Sequence, residues 1–225
     1  MKARTKPLAV ALVSGGMDSC VALGWAAARY RVAMLHVNYG QRTEAKELEC
    51  FGRLVGHFRP AASLVVDAAY LGRIGGSSLT DRRIAVPSDD EPGEIPTTYV
   101  PFRNANLLAI ATSWAETIGA ERIVIGAVEQ DAPGYPDCRP AFYEAANRLI
   151  ALGTRPDTHI TVETPLIAMR KADVVRLGAE LGAPLGLTWS CYQNESAPCR
   201  QCASCRRRAE AFREAGVADP LDGLR

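Results

Sequence analysis

The sequence has almost no net charge: 26 Lys and Arg stand against 25 Asp and Glu, a formal +1 at pH 7. So even a balance gives no bulk attraction to nucleic acid or an anionic membrane, and no direct nucleic-acid binding is expected; partners must be sought in local sites. Long hydrophobic runs are missing too. No stretch approaches the roughly 18 consecutive apolar residues of a membrane span. The basic-then-apolar opening MKARTKPLAVALV stops at Ser14-Gly15-Gly16, too short for a secretory core and better suited to a first strand. A soluble, cytoplasmic protein is the expectation. The histidines, His36, His57 and His159, lack ligand spacing. Internal repeats, low-complexity tracts and a clear interdomain linker are absent as well. What is present, 48% apolar residues over 225 positions, suffices for one domain with a real core.

The order of segments predicts an α/β fold, doubly wound around a mainly parallel sheet. Leu8 to Val13 is a buried-strand candidate that ends in a Gly-rich turn, and Ser19 to Tyr30 is an alanine-rich helix. Val32 to Val37 and Ser63 to Val66 read as strands around a helix from Glu44 to Phe58. Gly72 to Pro101, rich in Gly, Pro, Asp and Ser, reads as an exposed excursion and a candidate lid. Helices are expected at Asn104 to Ile118, Ala141 to Leu152 and Lys171 to Leu181, with strands at Arg122 to Gly126 and Ile160 to Val162. Residues 1–186 form the nucleotide-binding part in this reading. Residues 187–225 form a small C-terminal zinc-binding helical element, integral to the same domain, with a last helix from Arg206 to Ala215.

Ser14-Gly15-Gly16-Met17-Asp18-Ser19 lies between a strand and a helix, where backbone N–H groups and the helix dipole favour an anion. Two glycines admit a phosphate closely, and the hydroxyls of Ser14 and Ser19 add donors. The spacing and lysine of a Walker A loop are absent. Asp18 would repel a phosphate unless a cation lay between them, so it is assigned to Mg²⁺. The plain alternative is a turn whose Ser and Asp only cap the helix. The nucleotide, read as ATP, is expected along Val13, Ser14, Gly15, Gly16, Met17, Asp18, Ser19, Cys20, Val21, Ala22 and Leu23.

Cys191, Cys199, Cys202 and Cys205 crowd into one short segment, enough thiolates to close a tetrahedral Zn²⁺ site. An iron–sulfur cluster is the rival, but Cys205 is followed by Arg206-Arg207-Arg208 rather than by a further Cys and Pro. That arginine run reads as a solvated helix face, with charge compensation or an anionic ligand as the alternative.

The SGGMDS loop resembles that of the ATP pyrophosphatase (PP-loop) superfamily, which clamps the pyrophosphate released on adenylation. Asn38-Tyr39-Gly40-Gln41-Arg42, Val100-Pro101-Phe102-Arg103-Asn104, Gly134-Tyr135-Pro136-Asp137-Cys138-Arg139-Pro140, Glu163-Thr164-Pro165-Leu166 with Lys171, and Thr188-Trp189-Ser190-Cys191-Tyr192 follow in order. With the loop and the cysteines they run from Ala9 to Arg213, and the chain is similar along this length to the 7-cyano-7-deazaguanine synthase (QueC) family. Phe102 and Arg200 stand where glycine is expected, Cys20 where Thr or Ser is usual, and Ala127 to Pro133 matches loosely.

The resemblance implies an adenine nucleotide alpha hydrolase-like fold and a carbon–nitrogen ligase of queuosine biosynthesis. Its substrates would be 7-carboxy-7-deazaguanine, ammonia and ATP, its metals Mg²⁺ and Zn²⁺, and its assembly a homodimer. Ser14, Asp18, Ser19, Arg103 and Lys171 then fall to catalysis, with Arg103 and Lys171 on phosphate or substrate carboxylate. Asp131, Tyr135, Asp137 and Arg139 fall to the deazaguanine, Asp137 foremost because a carboxylate accepts from a guanine-like N1–H and 2-amino edge. Adenylation needs no enzyme thiol, so Cys138 is not read as a nucleophile. Another superfamily enzyme acting on tRNA, or a non-catalytic nucleotide-binding module, are the alternatives.

Overall fold

The computed structural model describes residues 6–88, 94–128 and 135–223. Strands β1 (Leu8–Leu12), β2 (Arg31–Asn38), β3 (Ala62–Asp67), β4 (Arg122–Ile125) and β5 (Thr161–Glu163) form one parallel sheet in the order β3-β2-β1-β4-β5. Helices are α1 (Met17–Arg29), α2 (Glu44–Phe58), α3 (Tyr70–Ile74), α4 (Arg103–Ile118), α5 (Pro140–Gly153), α6 (Lys171–Glu180) and α7 (Ala203–Ala215).

Side-chain alternation in the central strand sorts the helices into two layers. Ala9, Ala11 and Val13 face a core with Val21 and Leu23 of α1, Leu54 of α2, Val174 of α6 and Phe212 of α7. Val10 and Leu12 face the opposite core, with Leu108 and Ala111 of α4 and Tyr143 and Ile150 of α5. Burial on both faces explains why β1 reads as an unbroken apolar run. The doubly wound expectation therefore holds. Strand order reverses at β1, which has β2 on one side and β4 on the other, and such a switch point opens a crevice beyond the carboxyl ends of the strands.

The excursion after β3 differs from the exposed loop expected. Ser77, Ser78, Leu79, Thr98 and Val100 are buried. Arg42 holds the segment, donating from Nε to the Ser78 carbonyl at 2.6 Å and from Nη2 to the carbonyls of Asp81 and Ile84 at 2.8 and 2.6 Å. A guanidinium that satisfies several main-chain carbonyls compensates for their burial, so a Pro- and Gly-rich stretch can pack inside.

Candidate active site

Beyond the carboxyl end of β1 lies a cavity of about 270 Å³. Its floor is the loop into α1. No side chain caps that helix, whose N-cap is Gly16. Ser14 Oγ accepts from the Gly16 N–H at 3.2 Å, while Ser19 Oγ donates to the Gly16 carbonyl at 2.9 Å. Gly15 has φ +85°, and a Cβ there would lie 2.6 Å from the Glu47 carbonyl oxygen. Gly126, at the end of β4, allows the same closeness: a Cβ would sit 2.7 Å from the Asp18 carbonyl oxygen. Glycine at these two positions lets the loop press against α2 and β4.

Lys171, at the start of α6, donates from Nζ to Asp18 Oδ2 at 2.7 Å. Asp18 Oδ1 is buried with no hydrogen-bond partner. A buried carboxylate oxygen without a donor is a poor arrangement by itself but a fit for a hard cation such as Mg²⁺. Across the cavity, Arg103 donates from Nη1 to the Tyr39 hydroxyl at 3.2 Å, and its Nε is buried without a partner. Tyr135 lines the wall nearby and shares a 2.6 Å hydrogen bond with Thr98 Oγ1.

Of the residues read from sequence, the cavity gathers Val13, Ser14, Gly16, Met17, Asp18, Ser19, Arg103, Tyr135, Lys171 and Cys191. Cys20, Val21, Ala22 and Leu23 lie in the core instead, because only the first turn of α1 reaches the crevice. Asp137 does not line the cavity; its Oδ2 accepts from the Asn104 N–H at 2.9 Å, serving the first turn of α4. Arg139 is exposed at the start of α5, also away from the lining. Asp131 lies outside the described residues. Cys138 touches the cavity, but burial pushes its thiol up to about 11, which leaves it protonated and unreactive.

Three contributors were not legible. Arg207 and Arg208 line the cavity from α7, and only Arg206 of the arginine run is exposed. Arg208 is buried and pairs with Asp219 through Nε and Nη2 at 2.7 and 2.9 Å, while Nη1 donates to Thr188 Oγ1 at 2.9 Å. Glu47 of α2 is the third, a partly buried carboxylate in the cavity wall.

The sulfurs of Cys191, Cys199, Cys202 and Cys205 lie within 4.8 Å of one another. Cys199 and Cys205 Sγ are 3.9 Å apart, against about 3.8 Å for the edge of a tetrahedron with Zn–S bonds of ~2.3 Å. Backbone N–H groups of Gln193, Asn194 and Cys199 point at Cys191 Sγ from 3.3–3.4 Å. Hydrogen bonds from Cys202 and Cys205 hold the Cys191 thiol below its usual range, and the same bonds hold the Cys202 and Cys205 thiols above theirs. Four thiols at tetrahedral spacing fit a metal.

The chain matches the family described as "Queuosine biosynthesis protein QueC" over residues 8–216. It is 56% identical over 216 residues to a 7-cyano-7-deazaguanine synthase of Chlorobaculum parvum, covering 95% of each chain. A 7-cyano-7-deazaguanine synthase of Chlorobium limicola is 55% identical, with 95% of this chain and 96% of that one covered. Among solved structures, the NMN synthetase from Francisella tularensis aligns with a TM-score of 0.50 at 11% identity, covering 96% of this chain and 89% of that one, a likeness of fold alone.

Proposed function

We propose that this chain, which belongs to the QueC family of queuosine biosynthesis proteins, converts 7-carboxy-7-deazaguanine and ammonia to 7-cyano-7-deazaguanine at the expense of ATP. A carboxylate does not condense with ammonia because oxide is a poor leaving group. The carboxylate oxygen therefore attacks the α-phosphorus of ATP and pyrophosphate departs. Ammonia then attacks the acyl carbon and displaces AMP, giving the amide. A second ATP activates the amide oxygen in the same way, and loss of AMP with the remaining N–H protons leaves the nitrile.

The observation that carries this reading is one cavity joining the Ser14–Ser19 cradle to the buried, unpartnered Arg103 Nε. The loop N–H groups receive the pyrophosphate, with Ser14 and Ser19 as further donors. Lys171 fixes the Asp18 carboxylate, and Asp18 Oδ1 would hold a Mg²⁺, which would supply charge neutralisation for the departing pyrophosphate. Arg103 binds the substrate carboxylate, for which a guanidinium fork is suited. The Tyr135 ring stacks on the flat deazaguanine. Cys191, Cys199, Cys202 and Cys205 would hold a Zn²⁺, which would fix the start of α7 and with it Arg207 and Arg208. Residues 187–225 belong to the same domain in this reading, which also takes a cytoplasmic homodimer as its setting and ammonia as the nitrogen donor.

The test is product analysis by mass spectrometry. Carboxylate, ATP and ammonia together should yield the nitrile with AMP and pyrophosphate. The 7-amido compound should yield it with ATP and no ammonia. ADP with phosphate, or inertness towards both deazaguanines, contradicts the proposal.

A further inference from the structure

Nitrile formation from a carboxylate requires a group that takes protons from nitrogen at each stage. The groups placed in the cavity so far are poor candidates: Asp18 is held by Lys171, Arg103 has no acceptor capacity, and the Cys138 thiol is kept protonated by burial. Glu47 is different. It stands one turn into α2, directly under the pyrophosphate cradle, where Gly15 approaches its main chain so closely that no side chain would fit. Its carboxylate takes one hydrogen bond at each oxygen, from Thr43 Oγ1 to Oε1 at 2.8 Å and from Gln41 Nε2 to Oε2 at 3.1 Å. Gln41 is itself oriented, because its Oε1 accepts from the Tyr39 N–H at 2.8 Å and so turns the amide nitrogen to Glu47. Two neutral donors hold the carboxylate in place, and each oxygen keeps a lone pair for a further partner.

We propose that Glu47 is the general base of both nitrogen steps, resting on the adenylation chemistry above. In the first, ammonia's nitrogen bonds to the acyl carbon, the C–O bond to AMP breaks with its electron pair, and the surplus N–H proton passes to Glu47. In the second, attack of the amide oxygen on ATP leaves a cationic adenylate with two N–H protons: the first passes to water through the open cavity, giving the neutral imidate, and the second passes to Glu47 as the C–O bond breaks with its electron pair on AMP and the C≡N bond forms. Between the two, Glu47 returns its proton to water through the open cavity.

The electrostatic surroundings suit this work. Burial pushes the Glu47 carboxyl up to about 7, opposed by hydrogen bonds from Thr43 and Gln41 and by the Arg103 charge and reinforced by Glu44. The titratable and charged groups around it are Glu44 and Cys50 on its own helix, Tyr39 after β2 and Arg103 on α4. Asp18 of α1, Lys171 of α6, Arg207 and Arg208 of α7 and Arg42 before α2 line the same cavity. A base poised near neutrality is both ionised in large part and strong enough to accept a proton from nitrogen.

The test separates adenylation from proton removal. ATP–pyrophosphate exchange with the carboxylate and no ammonia reports adenylation, and conversion of the amide to the nitrile reports the later step with no ammonia to titrate. Glu47→Gln should keep exchange within about threefold of wild type and lose nitrile formation by about 100-fold or more. Wild type should lose nitrile kcat below about pH 7, and Glu47→Asp should retain an acid limb at a reduced rate. Normal nitrile formation by Glu47→Gln overturns the assignment, as does an equal loss of exchange and nitrile formation. Should Glu47→Gln fail to fold, a wild-type amide reaction with no acid limb overturns it. Wild type that neither exchanges pyrophosphate nor forms nitrile contradicts the proposed function instead.

Discussion

Trp189 donates its backbone N–H to the Gly15 carbonyl at 3.0 Å, tying the cysteine segment to the phosphate cradle. Cys191 lies two residues further on, and Trp189 and Cys50 pack in one buried cluster with Cys191, Cys202 and Cys205. The cysteine cluster therefore buttresses the loop from behind. Chelated protein, or Cys202→Ser, should lose more than about 2 kcal/mol of stability and bind Mg·ATP about tenfold more weakly, a change of ~1.4 kcal/mol. Titration calorimetry and denaturant unfolding read both effects, and elemental analysis should find one Zn²⁺ per chain. Iron with stoichiometric sulfide, or unchanged ATP affinity after complete metal removal, goes against this coupling.

The Asp18–Lys171 pair gives a second expectation. Asp18→Asn preserves shape but removes the charge that a divalent cation needs. ATP affinity in the presence of Mg²⁺ should fall about tenfold, whereas affinity in excess EDTA should hardly change. Lys171→Met should leave folding intact and lower kcat about 100-fold, the scale of a lost electrostatic contact to a transition state. Equal loss of ATP binding with and without Mg²⁺ would place Asp18 outside the cation site.

Glu47 also makes stability depend on pH. Its carboxyl is raised from 4.5 to about 7 by burial, so the folded state binds a proton that the unfolded state has released. The contribution is fully favourable below about pH 4.5 and is lost as pH rises through about 7, with an upper bound of roughly 3 kcal/mol. Wild type should thus lose stability relative to Glu47→Gln between pH 5 and pH 8, whatever the variant's offset at pH 5. Parallel stability curves for the two proteins would show that the carboxyl is not desolvated.

Much of this was legible because it rests on local pattern. Alternating apolar strands and helices fixed the doubly wound sheet, the bounds of α2 from Glu44 to Phe58 fell where the periodicity put them, and the cysteine spacing already implied a metal site. What stayed hidden depends on partners distant in sequence. Arg208 looks like part of a solvated basic run until Asp219 closes on it, and Glu47 looks like an exposed helix charge until the Gly15 loop covers it. Asp137 was read by the chemistry its carboxylate offers a guanine edge; in the fold that carboxylate meets the Asn104 N–H instead. The Gly- and Pro-rich segment after β3 looked exposed because the Arg42 guanidinium that makes its burial possible comes from the other side of β3.

Phe102 and Arg200, the two positions where glycine is expected from the family pattern, both adopt left-handed backbone, with φ of 56° and 61°. A side chain in this region costs about 1 kcal/mol or more, which glycine avoids. Phe102 ends the turn into α4, immediately before Arg103, and Arg200 lies between Cys199 and Cys202 of the cysteine cluster. Replacing either by Gly also removes contacts, chiefly the Phe102–Phe142 ring pair and the Arg200 bond to the Asp222 carbonyl. The comparison that isolates the backbone is therefore Gly against Ala at each site, since both lose the side chain and only Ala keeps the Cβ. Phe102→Gly should be more stable than Phe102→Ala by about 1 kcal/mol, and Arg200→Gly than Arg200→Ala by a similar amount in the zinc-loaded protein. That order is the reverse of a helix interior, where Ala exceeds Gly by ~1 kcal/mol. Urea midpoints at constant m-value measure it, and an Ala variant as stable as its Gly counterpart would show that neither turn is strained.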